Sequence, residues 1–442
     1  MVRRVLLVLV GLATWSYGQQ VLTPEEAVRR VLERSPAMNA VLAAQSAARA
    51  EVSLASALRL PQLQLAESFA YSNNPVFVFG SLLEQRRFTM ANFSLRSLNS
   101  PDPLVNFRTA VTLRMPLFDQ LQSRTALKRS RLGLEQAGAE LERVAEKLRF
   151  ETLKAYYGLV LAESRLKVSE EAVESAAADV QRARDLFDSG LVVEADLLAA
   201  QTLLAEFEQQ RIEAEGNYIS ALAALNMLLD LPLQTKQVLG GRLIERIFPE
   251  LSQEQLEELA RNRADYRQAE YSVSIAEQSI REAQAQNLPR IEFFGTFGNS
   301  AEKLVGGSSD FTVGVNISFS IYDPARKARQ LKAQALYEQS TAMLKNKWQQ
   351  INLEIVTAYQ SYISAKQRQR VASESLAKAR EVLRVVRDRY EAGLTTMTEL
   401  LRAQTALLRA ELSVLDARYD YYIGYARLRQ ASGTLSNVAD FR

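Results

Sequence analysis

The chain carries its own sequence twice. From Phe187 it reads F-D-S-G-L-V-V-E-A-D-L-L-A-A-Q-T, and from Tyr390 it reads Y-E-A-G-L-T-T-M-T-E-L-L-R-A-Q-T. Gly190 answers Gly393, Asp196 answers Glu399 and Gln201 answers Gln404, at a single offset of 203 residues. The offset extends upstream to Ala155-Tyr156 and Ala358-Tyr359, and downstream to Tyr218 and Tyr421. With small gaps, Leu22-Thr-Pro-Glu aligns with Leu251-Ser-Gln-Glu, and Pro61 with Pro289. One order of elements is therefore built twice, and any fold must place two copies of it.

The 442 residues are long enough for two or three ordinary domains. Residues 1–18 read as a secretory signal: Arg3 and Arg4, an apolar run from Val5 to Ala13, and a small-residue site at Ser16-Tyr-Gly18. That run is too short for a membrane helix. Cysteine and histidine are both absent, which removes disulfides, thiol nucleophiles, imidazole bases and most zinc or copper sites. A net charge of +3 on 54 basic and 51 acidic side chains gives no case for nucleic acid. After residue 18 no stretch of eighteen apolar residues occurs, so a membrane span would have to be made of strands.

Two kinds of segment alternate. Segments rich in Ala, Leu, Glu, Gln and Arg read as helices over 22–59, 119–230, 252–287 and 323–432. The two long ones are hairpins, with Asp119 and Asp323 as N-caps, Pro324 at the first helical position, and turns at Gly190 and Gly393. The last helix carries two adjacent heptad seams. One runs through Leu401, Thr405, Leu408, Leu412, Leu415, Tyr419 and Tyr422; the other through Leu400, Leu407, Val414, Tyr421 and Leu428. Two seams imply neighbours on both sides.

The remaining segments alternate apolar and polar residues, predicting strands over 61–73, 105–118, 289–299 and 311–322. In the first, Leu63, Leu65, Phe69 and Tyr71 share one face and Glu67 is the exception. Such strands suit either a membrane barrel or a soluble sheet with one buried face. Four strands are too few to close a barrel in lipid, where open edges leave amides unpaired. Several chains must then pool strands, and three would give twelve.

In this order and duplication, the chain resembles the TolC-like outer-membrane efflux proteins. The resemblance rests on the repeated helix, strand, strand, helix-hairpin order. It also rests on the strand exits Pro116-Leu-Phe-Asp119 and Ser320-Ile-Tyr-Asp323, the paired Gly-Leu tips, and the closing Ser432-Gly-Thr-Leu435. It implies a membrane β-barrel plus an α-helical coiled-coil tunnel: a homotrimer with a twelve-stranded outer-membrane barrel and a periplasmic helical tunnel. The first repeat occupies 19–230 and the second 251–435. An equatorial connector over 231–250 and a tail over 436–442 would pack around the tunnel, and the 74–104 and 300–310 loops would face outside. The implied partners are outer-membrane lipid, a periplasmic adaptor and an inner-membrane pump. No cofactor, metal or catalysis is implied.

The resemblance also picks out residues. Glu399, just past the second tip, matches acidic positions that ring the periplasmic aperture; the alternative is a solvated residue helped by the helix dipole. Arg402 departs from the acidic pattern and would neutralise Glu399 by an i,i+3 pair. Asp196 is the first-copy counterpart of Glu399. Tyr390 matches a latch tyrosine, but Thr395 stands where its arginine partner would be. Gly190-Leu191 and Gly393-Leu394 would meet the adaptor, or would simply end helices. The clusters Arg124, Lys128, Arg129, Arg131 and Arg326, Lys327, Arg329, Lys332 read as headgroup contacts or as a solvated, ion-paired face. The leading function is a gated exit duct for efflux. A type I protein-secretion duct of the same fold and a periplasmic coiled-coil scaffold are the alternatives.

Overall fold

A computed structural model describes residues 21–436 and 438–441. The signal-peptide reading of 1–18 lies outside the described residues. These residues divide into two compact units that cut across the sequence repeat. One takes in the chain up to Leu42, Glu140–Tyr266 and Trp348 onward; the other takes in Ala43–Ala139 and Arg267–Lys347.

The second unit holds one antiparallel sheet in the order β1 (Gln62–Ser72), β2 (Leu104–Asp119), β3 (Arg290–Ala301), β4 (Ser308–Ser318). Each repeat supplies a neighbouring pair, and β2 joins β3 across the repeats. The register places like with like. Leu63, Leu113, Gly295 and Val313 form one row, and Leu65, Val111, Phe297 and Phe311 the next. On the opposite face lie Gln64, Thr112, Thr296 and Thr312. A period of two explains this sorting, because successive side chains point to opposite faces.

Strand boundaries differ from the sequence reading in one place that matters. The fourth strand, expected over 311–322, ends at Ser318 because that residue faces Arg290, the first of β3. Beyond it stands Pro289, which has no N–H to give. Phe319, Ile321 and Tyr322 are left outside the sheet and exposed.

The helices also correct the reading. The helix expected over 22–59 is α1 (Pro24–Arg34) and α2 (Pro36–Ala57), broken at Ser35. Proline removes a donor and drives the preceding residue out of helical backbone, and Ser35 has ψ 128. Between β1 and β2, where a plain loop was expected, lie α3 (Pro75–Glu84), a 3₁₀ turn (Met90–Phe93) and α4 (Leu95–Asn99).

The first long helix, α5 (Gln122–Asp188), does not start at Asp119, which is the last residue of β2. Gln120 and Leu121 turn the chain with φ 59 and 63, and Asp119 accepts the Ser123 amide at 2.8 Å from outside the helix. The return helix is α6 (Glu194–Leu228). The 252–287 helix is split into α7 (Gln253–Ala260) and α8 (Ala264–Ala285). At that break Arg263 forks onto Asp265 at 2.9 Å and donates to the Ala431 carbonyl at 2.8 Å. The second hairpin is α9 (Arg326–Glu391) and α10 (Met397–Ala431), with Asp323 capping the Ala325 amide.

The first unit is organised by aromatic rings. Tyr156 and Tyr157 from α5, Tyr362 from α9, and Tyr421, Tyr422 and Tyr425 from α10 are buried with Phe248 and Phe441. Phe248 stacks on Tyr425 at 4.2 Å and 9°. Residues 231–250 form an irregular segment that turns at Pro232–Thr235 and is held by a parallel bridge between Leu22 and Leu239. Burial of Leu400, Leu408, Val414, Tyr421, Tyr422 and Leu428 on α10 draws on both heptad seams.

Candidate functional site

The two hairpin tips are built alike. Helix α5 ends with Gly190 at φ +70; its amide bonds to the Phe187 carbonyl at 2.8 Å, and the Leu191 amide to that of Leu186 at 2.9 Å. At the other tip Gly393, also at φ +70, bonds to Tyr390 at 3.0 Å, and Leu394 to Arg389 at 2.8 Å. This is the paired-bond helix stop that a glycine in left-handed conformation permits. It accounts for both glycines. It does not account for the leucines, which stay 72% and 67% exposed.

The return helices start differently. Thr396 caps α10 by accepting the Glu399 amide, whereas Val193 before α6 offers no side-chain cap. Glu399 sits in the first turn of α10, where the helix dipole favours a carboxylate. Arg402 reaches back to it at 3.2 Å. Both side chains are largely exposed, so the pair adds little stability, about 0–1 kcal/mol. Its consequence is local charge: each Glu399 carries its own counter-ion. Asp196 occupies the same turn of α6 and is half-buried, and Thr395 is half-buried in the tip itself.

Tyr390 packs against a cluster of Ala183, Ala200, Leu383, Met397, Leu400 and Ala403. Its hydroxyl is buried and meets no hydrogen-bond partner among the described residues. Burial pushes its pKa above the usual tyrosine range, and the nearby Asp196 carboxylate adds to that shift. Arg182 acts in the opposite direction.

Arg182 belongs to a network absent from the sequence reading. Asp179 on α5 is buried, and accepts a hydrogen bond from the Gln404 side chain of α10 and another from Arg182 at 3.4 Å. Arg182 also lies 3.9 Å from Glu391 at the end of α9. The site therefore joins three helices through Asp179, Gln404, Arg182 and Glu391. Gln404 stood in plain view as part of the duplicated Ala-Gln-Thr, but Asp179 lies 225 residues away and carries no motif.

Comparison with known proteins agrees with this architecture. Residues 27–230 and 256–434 match the outer membrane efflux protein family. The alkaline protease secretion protein AprF of Pseudomonas aeruginosa is 24% identical, over 97% of this chain and 89% of its own length. The outer membrane protein TolC of Escherichia coli is 20% identical, over 98% and 87%. Among solved structures, the outer membrane protein VceC of Vibrio cholerae superposes with a TM-score of 0.77 at 18% identity, over 93% of this chain and 96% of that one. Repeat, sheet, paired hairpins and family match converge: the chain belongs to the outer membrane efflux protein family.

Proposed function

We propose that three copies of this chain close one twelve-stranded barrel in the outer membrane and act as its exit duct. The observation that carries this reading is the open sheet. Among the described residues, both β1 and β4 lack a partner on their outer side. Leu63, Leu65, Phe69 and Tyr71 on one edge strand, and Phe311, Val313, Val315 and Ile317 on the other, are exposed. Unpaired amides cost several kcal/mol each in hydrocarbon, so such a sheet is stable in lipid only when its edges meet. Pairing β4 of one copy with β1 of the next removes all six edges of three sheets. It also turns one continuous apolar face to the lipid and the threonine-rich face to the lumen.

The helix hairpins extend into the periplasm, and the tips form the aperture. Three Glu399 carboxylates, each paired with Arg402, make a partly neutralised ring, with Asp196 contributing from the first hairpin. Tyr390 and Thr395 pack the tip in its closed arrangement. Leu191 and Leu394 are the apolar contacts offered to a periplasmic adaptor, through which an inner-membrane pump delivers cargo. The chain's work is conduction rather than chemistry. The name of AprF favours a secreted polypeptide as one class of cargo; efflux of small molecules uses the same geometry.

Single-channel recording in planar bilayers tests the reading. Discrete pores are expected, with a cation preference that falls in Glu399→Ala. A protein that stays soluble without detergent and makes no pores overturns it.

A further inference from the structure

Residues 74–103 do not hang free between β1 and β2. Asn74 caps α3 by accepting the Val76 and Phe77 amides at 3.0 and 3.1 Å. Phe79, Phe88 and Phe93 then stack edge to face at 4.9 and 5.1 Å, making the segment a small body of its own. That body is fastened to the polar face of the sheet. Buried Gln85 donates to the Val105 carbonyl at 3.0 Å and to the buried Asn106 side chain at 2.9 Å. Arg108 donates to Glu84 at 2.9 Å, to buried Ser300 at 2.9 Å, and forks onto Asp310 at 3.1 and 3.2 Å. Ser300 donates in turn to Glu84 at 3.1 Å. Arg87 meets Glu302 at 3.0 Å.

Asn106, Arg108, Ser300 and Asp310 all belong to the threonine-rich face. On the trimeric-barrel reading, on which this inference rests, that face lines the lumen. The segment then sits inside the barrel. Twelve strands about 4.8 Å apart, tilted by about 40°, enclose a ring about 24 Å across. Three helices of about 10 Å diameter fill such a ring. Val76, Met90 and Leu95 of the segment are about 80% exposed in one copy. Large exposed apolar side chains need an occupant, and threefold symmetry supplies one: the same residues of the other two copies.

We propose that residues 74–103 form a plug in the outer mouth of the barrel. Three copies meet on the symmetry axis, each tethered to its own strands through Arg108 and Gln85. This is a second closure, separate from the hairpin tips, and passage requires the tether to let the plug swing aside.

The absence of native cysteine makes the test clean. Thr296 lies on the lumen face, four residues before the anchoring Ser300 in β3 and away from the plug; its neighbour Phe297 lies on the lipid face. Thr296→Cys is labelled in intact cells with a bulky membrane-impermeant maleimide, in the otherwise native chain and with residues 76–99 replaced by a short Gly-Ser linker. The plug predicts slow labelling in the first and labelling about tenfold faster in the second, as a lumen constriction is removed. Arg108→Ala should give an intermediate rate without shortening the chain. A disulfide formed in a Gln85→Cys, Asn106→Cys variant, which ties the segment to β2 where the native side chains meet, should hold uptake of a fluorescent solute at its closed level until reductant is added. Equal rates with and without residues 76–99, with Arg108→Ala also unchanged, overturn the plug while leaving the duct intact. With residues 76–99 replaced by the linker, Phe297→Cys labelled as fast as Thr296→Cys overturns the barrel itself, and the plug with it.

Discussion

The Tyr156 hydroxyl accepts a 2.8 Å hydrogen bond from the Gly241 amide and donates one of 2.8 Å to the Leu22 carbonyl. A single oxygen on α5 thereby ties the start of the first repeat to the connector between repeats. Gly241 is required there, because a Cβ would stand 2.9 Å from the tyrosine ring. Tyr156→Phe leaves a buried amide and a buried carbonyl short of a partner, at a cost of about 1–3 kcal/mol. The repeat supplies a control. Tyr359 is the equivalent residue in the second copy and is only half-buried, so Tyr359→Phe should cost under about 0.5 kcal/mol. Thermal denaturation of both variants decides it, and equal losses would count against the tie.

How much of this was legible in the residues varies by element. The strands were, because a period of two is local and Leu63 or Val313 declares its face by spacing alone. The break before Pro36 was also written in the chain, as was α3, where Asn74 and Pro75 give a cap and a first helical residue ahead of an apolar run. The start of α5 was not: Gln120 and Leu121 adopt left-handed backbone without a glycine to announce it. Nor was Asp179, whose burial depends on a glutamine brought from the opposite end of the chain. Local pattern shows what a residue forms, whereas its partner is set by packing between distant segments.

Glycine positions separate two kinds of cost. At Gly190 an added Cβ meets nothing within 4 Å, so Gly190→Ala carries only the left-handed backbone penalty, about 1 kcal/mol. At Gly433, also left-handed at φ +69, the Cβ would fall 2.8 Å from Arg263 Cγ, against the residue that holds Asp265 and Ala431. Gly433→Ala should therefore lower the melting temperature more than Gly190→Ala. The reverse order would show that the Arg263 fork yields without loss.

Alkaline pH acts on the aromatic core. Burial raises the pKa of Tyr156, Tyr157, Tyr362, Tyr422 and Tyr425 above the ordinary value of 10.0. The folded state then holds these protons more tightly than the unfolded state. Stability from this source is intact below about pH 10 and is lost as pH rises beyond it. Tyr157→Phe should melt lower at neutral pH, having lost its bond to the Phe441 carbonyl, yet lose less between pH 10 and 12. Melting curves across that window that run parallel to the native protein's would refute the linkage.

At the tip, the unpartnered Tyr390 hydroxyl gives a prediction of opposite sign. Burying a hydroxyl without a partner is unfavourable, so in an isolated chain Tyr390→Phe should be neutral or stabilise by about 1 kcal/mol. A latch completed by another copy would reverse this: the trimer would melt lower and conduct more. Melting and conductance of one variant therefore distinguish packing from latching.

Arg402 offers the sharpest reading of the aperture. Its guanidinium stands 3.2 Å from Glu399, so in the proposed trimeric duct each ring carboxylate is partly cancelled. Arg402→Ala uncovers three carboxylates at one constriction, where fields of like charge add. Cation preference should rise in Arg402→Ala and fall in Glu399→Ala. The exposed pair contributes too little to folding for either change to move the melting temperature much. The double variant should fall between the two single ones, because removing both charges leaves neither a bare carboxylate nor a bare guanidinium at the constriction. Reversal potentials under a salt gradient measure all three. If Arg402→Ala leaves the reversal potential unchanged while Glu399→Ala shifts it, the arginine side chain points away from the ion path and the pair is broken in the assembled pore.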